Sequence, residues 1–167
     1  MPERLVLALL VVFFAIGCAT APVILTPAGV ACRSYENPAL KIRLPLPADW
    51  RADWKTEPTA MLTVHAPDDS ASLVVTLDPL ASSAEKVLED AQKYAEARQK
   101  SAAAEPLEGK FNGHRAMGYR IRDAAGTITV FAIDHDRGIY LLILTSRSTA
   151  NQQTLDFILE RLLFIEE

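Results

Sequence analysis

HRAMGYRIRDAAGTITVFAIDHDRGIYLLILTS, residues 114–146, decides the fold of this chain. Three runs, HRAMGYRIRD, TITVFAID and IYLLILTS, are separated by Ala124-Ala125-Gly126 and Asp136-Arg137-Gly138. Val, Ile, Thr, Phe and Tyr fill the runs while Gly and Asp punctuate them, which predicts an antiparallel meander of three strands. Ile139–Leu144 is apolar at every position. A strand without polar alternation needs cover on both faces, so helices are expected on either side of the sheet.

Working outward, Asn112-Gly113 precedes the meander. Both residue types tolerate positive φ, so the pair predicts a tight hairpin back to a strand over Leu107–Phe111. Upstream, Ser82 and Glu85 stand in capping-box spacing and open the clearest helix. Val87, Leu88, Ala91, Tyr94 and Ala95 give it one apolar face, and Glu89, Lys93, Glu96 and Lys100 a solvated one. The helix stops before Pro106. Downstream, Thr149 and Gln152 repeat the capping spacing, and Leu155, Ile158, Leu159 and Leu162 form the inner face of a closing helix.

Nearer the start, Pro67-Asp68-Asp69-Ser70 joins Ala60–Ala66 to Ala71–Leu77 as a second hairpin. Leu40, Ile42, Leu44 and Leu46 alternate with Lys41, Arg43 and Pro45, the period of a half-buried strand. Pro45 and Pro47 cannot donate to a ladder, so this strand ends there or lies at an edge. The expected class is α+β: an antiparallel sheet of about six to seven strands flanked by helices, an α/β/α sandwich over residues 34–167.

The first residues read as an address. Leu5–Ile16 holds twelve apolar residues in a row after Arg4. That falls short of the roughly 20 needed to span a bilayer and suits the core of a signal peptide. Ala15-Ile16-Gly17-Cys18 follows and resembles a bacterial lipobox, with Ala15 where Leu is usual. On that reading residues 1–17 are a signal peptide, Cys18 carries the acyl chains (palmitate among them), and residues 18–33 are the lipidated end and tether. Ordinary cleavage near Ala19 or Ala21 is the alternative. Ala19, where inner-membrane retention often uses Asp, points by resemblance to sorted lipoproteins to the outer membrane over the inner. Pro22, Pro27 and Gly29 interrupt regular structure in the tether. Cys32, left over once Cys18 is modified, is expected to be buried near the start of the domain.

At 167 residues the chain suits one domain, and its net charge of −4 lacks any basic stripe to set against it, which argues against nucleic acid. Two cysteines, Cys18 and Cys32, make no disulfide framework, and no Cys/His spacing resembles a zinc site.

Tyr35-Glu36-Asn37, Ile42-Arg43-Leu44-Pro45 and Trp50, with Phe111-Asn112-Gly113-His114-Arg115-Ala116 and Tyr119, resemble the opening strand and the Asn-Gly hairpin of PsbP-like domains. That superfamily includes PsbP, Mog and envelope lipoproteins related to DcrB. The resemblance implies an antiparallel sheet between helices, a core position for Trp50, and binding or assembly roles. It carries over no catalytic residue.

Candidates for chemistry are few. His65 sits inside a strand, His114 beside a tight turn, and Asp134-His135-Asp136 where turn residues gather. A metal site there needs a further ligand from elsewhere. No nucleophile elbow, phosphate loop or His-Glu-x-x-His segment is present. Trp54, read as part of an irregular segment, is the candidate aromatic contact, and Arg120 and Arg122 on one strand face are a candidate basic patch. The reading is a non-enzymatic, lipid-anchored envelope protein without cofactor or metal, held to the membrane through Cys18 and binding an envelope protein. A carrier of a small apolar ligand held between sheet and helix is the alternative, and a metal-dependent hydrolase built on His135 the more distant one.

Overall fold

The structure, a computed structural model, describes residues 23–98 and 103–166. Residues 1–17, expected as a signal peptide, and Cys18 lie outside the described residues. So do the side chains of Tyr94 and Ala95, expected on the first helix's apolar face.

The meander forms as its turns dictate. β8 (His114–Asp123), β9 (Gly126–His135) and β10 (Gly138–Ser146) are consecutive antiparallel strands, and β7 (Glu105–Phe111) joins β8 across Asn112-Gly113, whose φ angles are 49° and 86°. On the other side of β10 lies β6 (Ala71–Asp78), then β5 (Met61–His65) and β4 (Arg51–Lys55). The resulting seven-stranded sheet runs β4-β5-β6-β10-β9-β8-β7.

β10 sits at its centre, which is why it reads apolar throughout. Tyr140, Leu142 and Leu144 enter the main core with Leu62, Val64, Leu73 and Val75. Leu141 and Ile143 face the other way, against Tyr119, Ile121 and Val130. α1 (Ala84–Arg98) covers this second face through Ala84, Val87, Leu88 and Ala91. α2 (Thr149–Glu160) buries Leu155, Phe157 and Ile158 in the main core. The expected cover on both faces is present, and the class is α+β.

One element of the expectation is corrected. The strand of Leu44 and Leu46 does not join the large sheet. β3 (Ile42–Pro47) belongs to a second, four-stranded sheet ordered β1-β2-β3-β11, with β1 Ile24–Leu25, β2 Ala31–Asn37 and β11 Leu163–Phe164. This small sheet shares the main-core face with α2, packing Ile42, Leu44 and Leu46 inward. Pro45 and Pro47 are tolerated because β11 pairs only with Ile42 and Arg43, leaving the proline end of β3 with one neighbour. Residues 24–33, expected as tether, are therefore partly strand. The Thr26 hydroxyl accepts from Val30 N–H at 3.0 Å and closes the turn between β1 and β2.

Both helix caps shift by one residue. Ser83, rather than Ser82, accepts from Lys86 N–H at 3.2 Å, and Ser148, rather than Thr149, accepts from Asn151 N–H at 3.2 Å. Each pair offers two adjacent hydroxyls, and only the one three residues before a free N–H in the formed helix satisfies it.

Candidate functional site

β8 begins and β9 ends at the same end of the large sheet, and the two-residue loop Ala124-Ala125 fixes their register with Asp123 opposite Gly126. Continued to the far end, that register sets His114 opposite His135. The imidazoles stack with centroids 4.4 Å apart and planes 29° from parallel. Phe164 of β11 closes over them, 4.9 Å from His135 and 5.4 Å from His114, and Tyr140 meets both Phe164 and His135. Tyr140 is wholly buried and donates its hydroxyl proton to Leu40 O at 2.6 Å, locking the β2–β3 hairpin onto the large sheet.

The histidines were expected at separate, unrelated positions. The structure corrects this: they share one open cleft of about 490 Å³, lined also by Lys41, Asp136, Arg137, Ile165 and Glu166. Of the Asp134-His135-Asp136 cluster, Asp136 lines the cleft, while strand alternation turns Asp134 to the opposite face of β9 from His135. Among the described residues no group of three or more His, Cys, Asp or Glu is arranged to hold a metal ion.

Electrostatics favour neutral His135. Burial pushes its pKa down, and the positive charges of His114 and Arg137 add to this, while Asp136 and Glu166 pull the other way. Arg137 N–H donates to His135 Nδ1 at 3.2 Å, so the neutral ring carries its proton on Nε2. Lys41 and Arg137 line the cleft together with Asp136 and Glu166, a balanced set of charges suited to a polar or zwitterionic group. None of the lining residues is Ser, Thr or Cys, the usual partners of a histidine base in nucleophilic catalysis.

The other expected contacts lie elsewhere. Trp50 is core, 6% exposed, and Trp54 is 52% exposed. Trp54 stands on regular edge strand β4, not in an irregular segment. Arg120 and Arg122 are on β8, five strands from β4, so Trp54 and the arginines are separated by roughly 24 Å of sheet. Arg120 is engaged, its Nε donating to Thr129 at 3.1 Å. Arg122 lines a groove with Arg147, beside the start of α2. His65 faces Asp69 at 3.8 Å in its own hairpin. Cys32 is half-buried, and burial raises its thiol pKa, with Asp49 adding to the effect.

No protein-family model matches the chain, and no curated protein matches it in sequence. Among solved structures, cyanobacterial PsbP (CyanoP) from Synechocystis sp. PCC 6803 aligns over 89% of this chain and 98% of its own, with a TM-score of 0.60 and 11% identity. The fold is PsbP-like. A Bacteroides thetaiotaomicron structure covers 81% of this chain and 49% of its own at 13% identity, and its TM-score of 0.47 falls short of a shared fold. At 11% identity the PsbP-like likeness speaks to architecture alone.

Proposed function

We propose that this chain is a lipid-anchored, non-enzymatic cell-envelope protein that binds an envelope protein through the β4 edge of its large sheet. The observation that carries the binding role is β4. Among the described residues it pairs only with β5, so its outer backbone groups are open to a further strand, and Trp54 stands on it half-exposed. An extended segment of a partner adds main-chain hydrogen bonds there, and Trp54 supplies the aromatic anchor. Arg51, Asp53 and Lys55 keep the edge from pairing indiscriminately with other chains. The lipid anchor at Cys18 rests on the lipobox resemblance, and the preference for an outer membrane on Ala19.

The test is crosslinking in the native membrane from a photoreactive residue at position 54, followed by co-purification with Trp54→Ala. A partner recovered with the native chain and reduced at least tenfold with Trp54→Ala supports the reading. A partner that crosslinks from β8 near Arg120 and Arg122, and not from position 54, overturns the choice of surface.

The cleft favours a second reading. The interior between sheet and helix is filled by side chains such as Leu73, Leu142 and Leu155, which are buried almost completely. A carried small molecule therefore fits the His114–His135 cleft, with a polar group against Lys41 and Arg137.

A further inference from the structure

We infer that the outer face of the small sheet rests on the lipid bilayer, in contact with the boundary between headgroups and acyl chains. The register of β1, β2, β3 and β11 puts Ile24, Ser34, Pro45 and Leu163 on one side, where they line an apolar groove of about 430 Å³ walled by Arg43, Glu160 and Arg161. Six large hydrophobic side chains are exposed among the described residues; two of them, Ile24 and Leu163, are on this face, and Val23 and Leu25 flank Ile24 on the reverse of the same β1 edge. Val23 is 70% exposed and Leu163 47%. Such a concentration of exposed apolar side chains marks a contact surface.

The occupant follows from chain length. Val23 stands five residues after Cys18. A fully extended link of that length spans at most about 18 Å. The inference rests on the lipidation reading: with acyl chains on Cys18, the start of β1 is held within that distance of the bilayer, and the groove that Ile24 lines lies beside it. A protein partner or a second copy would have to take the place of the membrane that the anchor puts there.

The charges around the groove say what kind of contact it is. Arg43 is paired with Glu36 at 2.9 Å and Arg161 with Glu160 at 3.3 Å. With its cations already matched, the surface gains little from anionic headgroups and adheres through apolar side chains. Contact with zwitterionic lipid should be as good as with anionic lipid, and indifferent to salt.

The test uses the full chain purified from a bacterial host that lipidates it, with Cys32→Ala and an environment-sensitive fluorophore on Leu163→Cys, reconstituted in phosphatidylcholine vesicles. A control label replaces Leu80, the most exposed large hydrophobe, on the connection between β6 and α1. Mass spectrometry of the same sample reports the acyl chains separately. The expected result is acylated protein whose Leu163 label is quenched by iodide about fivefold more slowly in vesicles than in detergent-free buffer, unchanged in high salt, while the Leu80 label is quenched equally in both. Acylated protein with a Leu163 label equally open in vesicles and buffer overturns the inference and leaves the anchor standing. Unacylated protein overturns the anchor and the inference together. Protection only on anionic vesicles and abolished by salt overturns the apolar contact. Protection that rises with protein concentration in the absence of vesicles assigns the face to a second copy and overturns it as well.

Discussion

His135 is the residue whose protonation the fold opposes most clearly. Its pKa lies below the ordinary 6.5, first because it is buried and then because His114 and Arg137 disfavour a second charge. A pKa lowered by folding means the unfolded chain binds the proton more readily. The contribution of His135 to stability is thus complete above pH 6.5 and is lost as pH falls below that value toward the folded pKa. Urea unfolding at neutral pH and at about pH 5.5 should show the native chain losing stability on acidification, and His135→Gln losing less. Tyr140 gives a prediction independent of pH. Tyr140→Phe leaves Leu40 O without its donor in a buried place, and should cost about 1–3 kcal/mol in the same assay. Gly118→Ala should be destabilising by about 1–3 kcal/mol, because the new methyl meets the carbonyl oxygen of Val130, a backbone atom that cannot give way. The histidine pair depends on a register that the sequence did not show. With Asp123 opposite Gly126, nine steps back along each strand lead to His114 and His135. With Ala124-Ala125-Gly126 as the loop, the same nine steps from Asp123 and Thr127 lead to His114 and Asp136, so the pair emerges only with the two-residue loop of the folded hairpin.

At the scale of elements, periodicity and turn chemistry located every strand of the meander and both helices, because those signals are local. β2 and β4 went unread as strands, and β1 and β11 escaped because two residues have no period, and each exists only through its partner strand. Their discovery changes what a minimal domain must contain. A chain beginning at Ser34 lacks β1 and the pairs Cys32–Pro47 and Arg33–Leu46, and it uncovers the Leu46–Pro47 end of β3. Compared with a chain beginning at Val23, it should unfold at lower denaturant, by about 1 kcal/mol for each ladder hydrogen bond lost. Equal midpoints would return residues 23–33 to the role of tether. Ser148→Ala should destabilise α2 by about 1 kcal/mol, whereas Thr149→Ala should have little effect, which separates the two possible caps by circular dichroism during urea unfolding.

For the whole molecule, the sequence indicated the layers but not how the strands are shared between two sheets. That division depends on pairings such as β6 with β10 and β3 with β11, which join distant parts of the chain and leave no local mark. On the proposed function, anchoring concentrates the binding edge at the membrane without adding contacts to it. Cys18→Ala should accumulate as an uncut precursor that takes up no palmitate label, and at native expression it should restore a deletion strain less well than when overproduced. Labelling that persists in Cys18→Ala excludes the lipobox reading. The β3–β11 pair also has a bearing on the order of folding. Leu163 reaches Arg43 across roughly 120 residues of intervening chain, so when the chain emerges from its amino end, that side of β3 waits bare through nearly the whole of synthesis. A bare strand is an invitation to stick to any passing chain. Pro45 and Pro47, which have no N–H to offer, make β3 a poor template during that delay, and so work as a built-in guard for the nascent protein before they become part of the finished sheet.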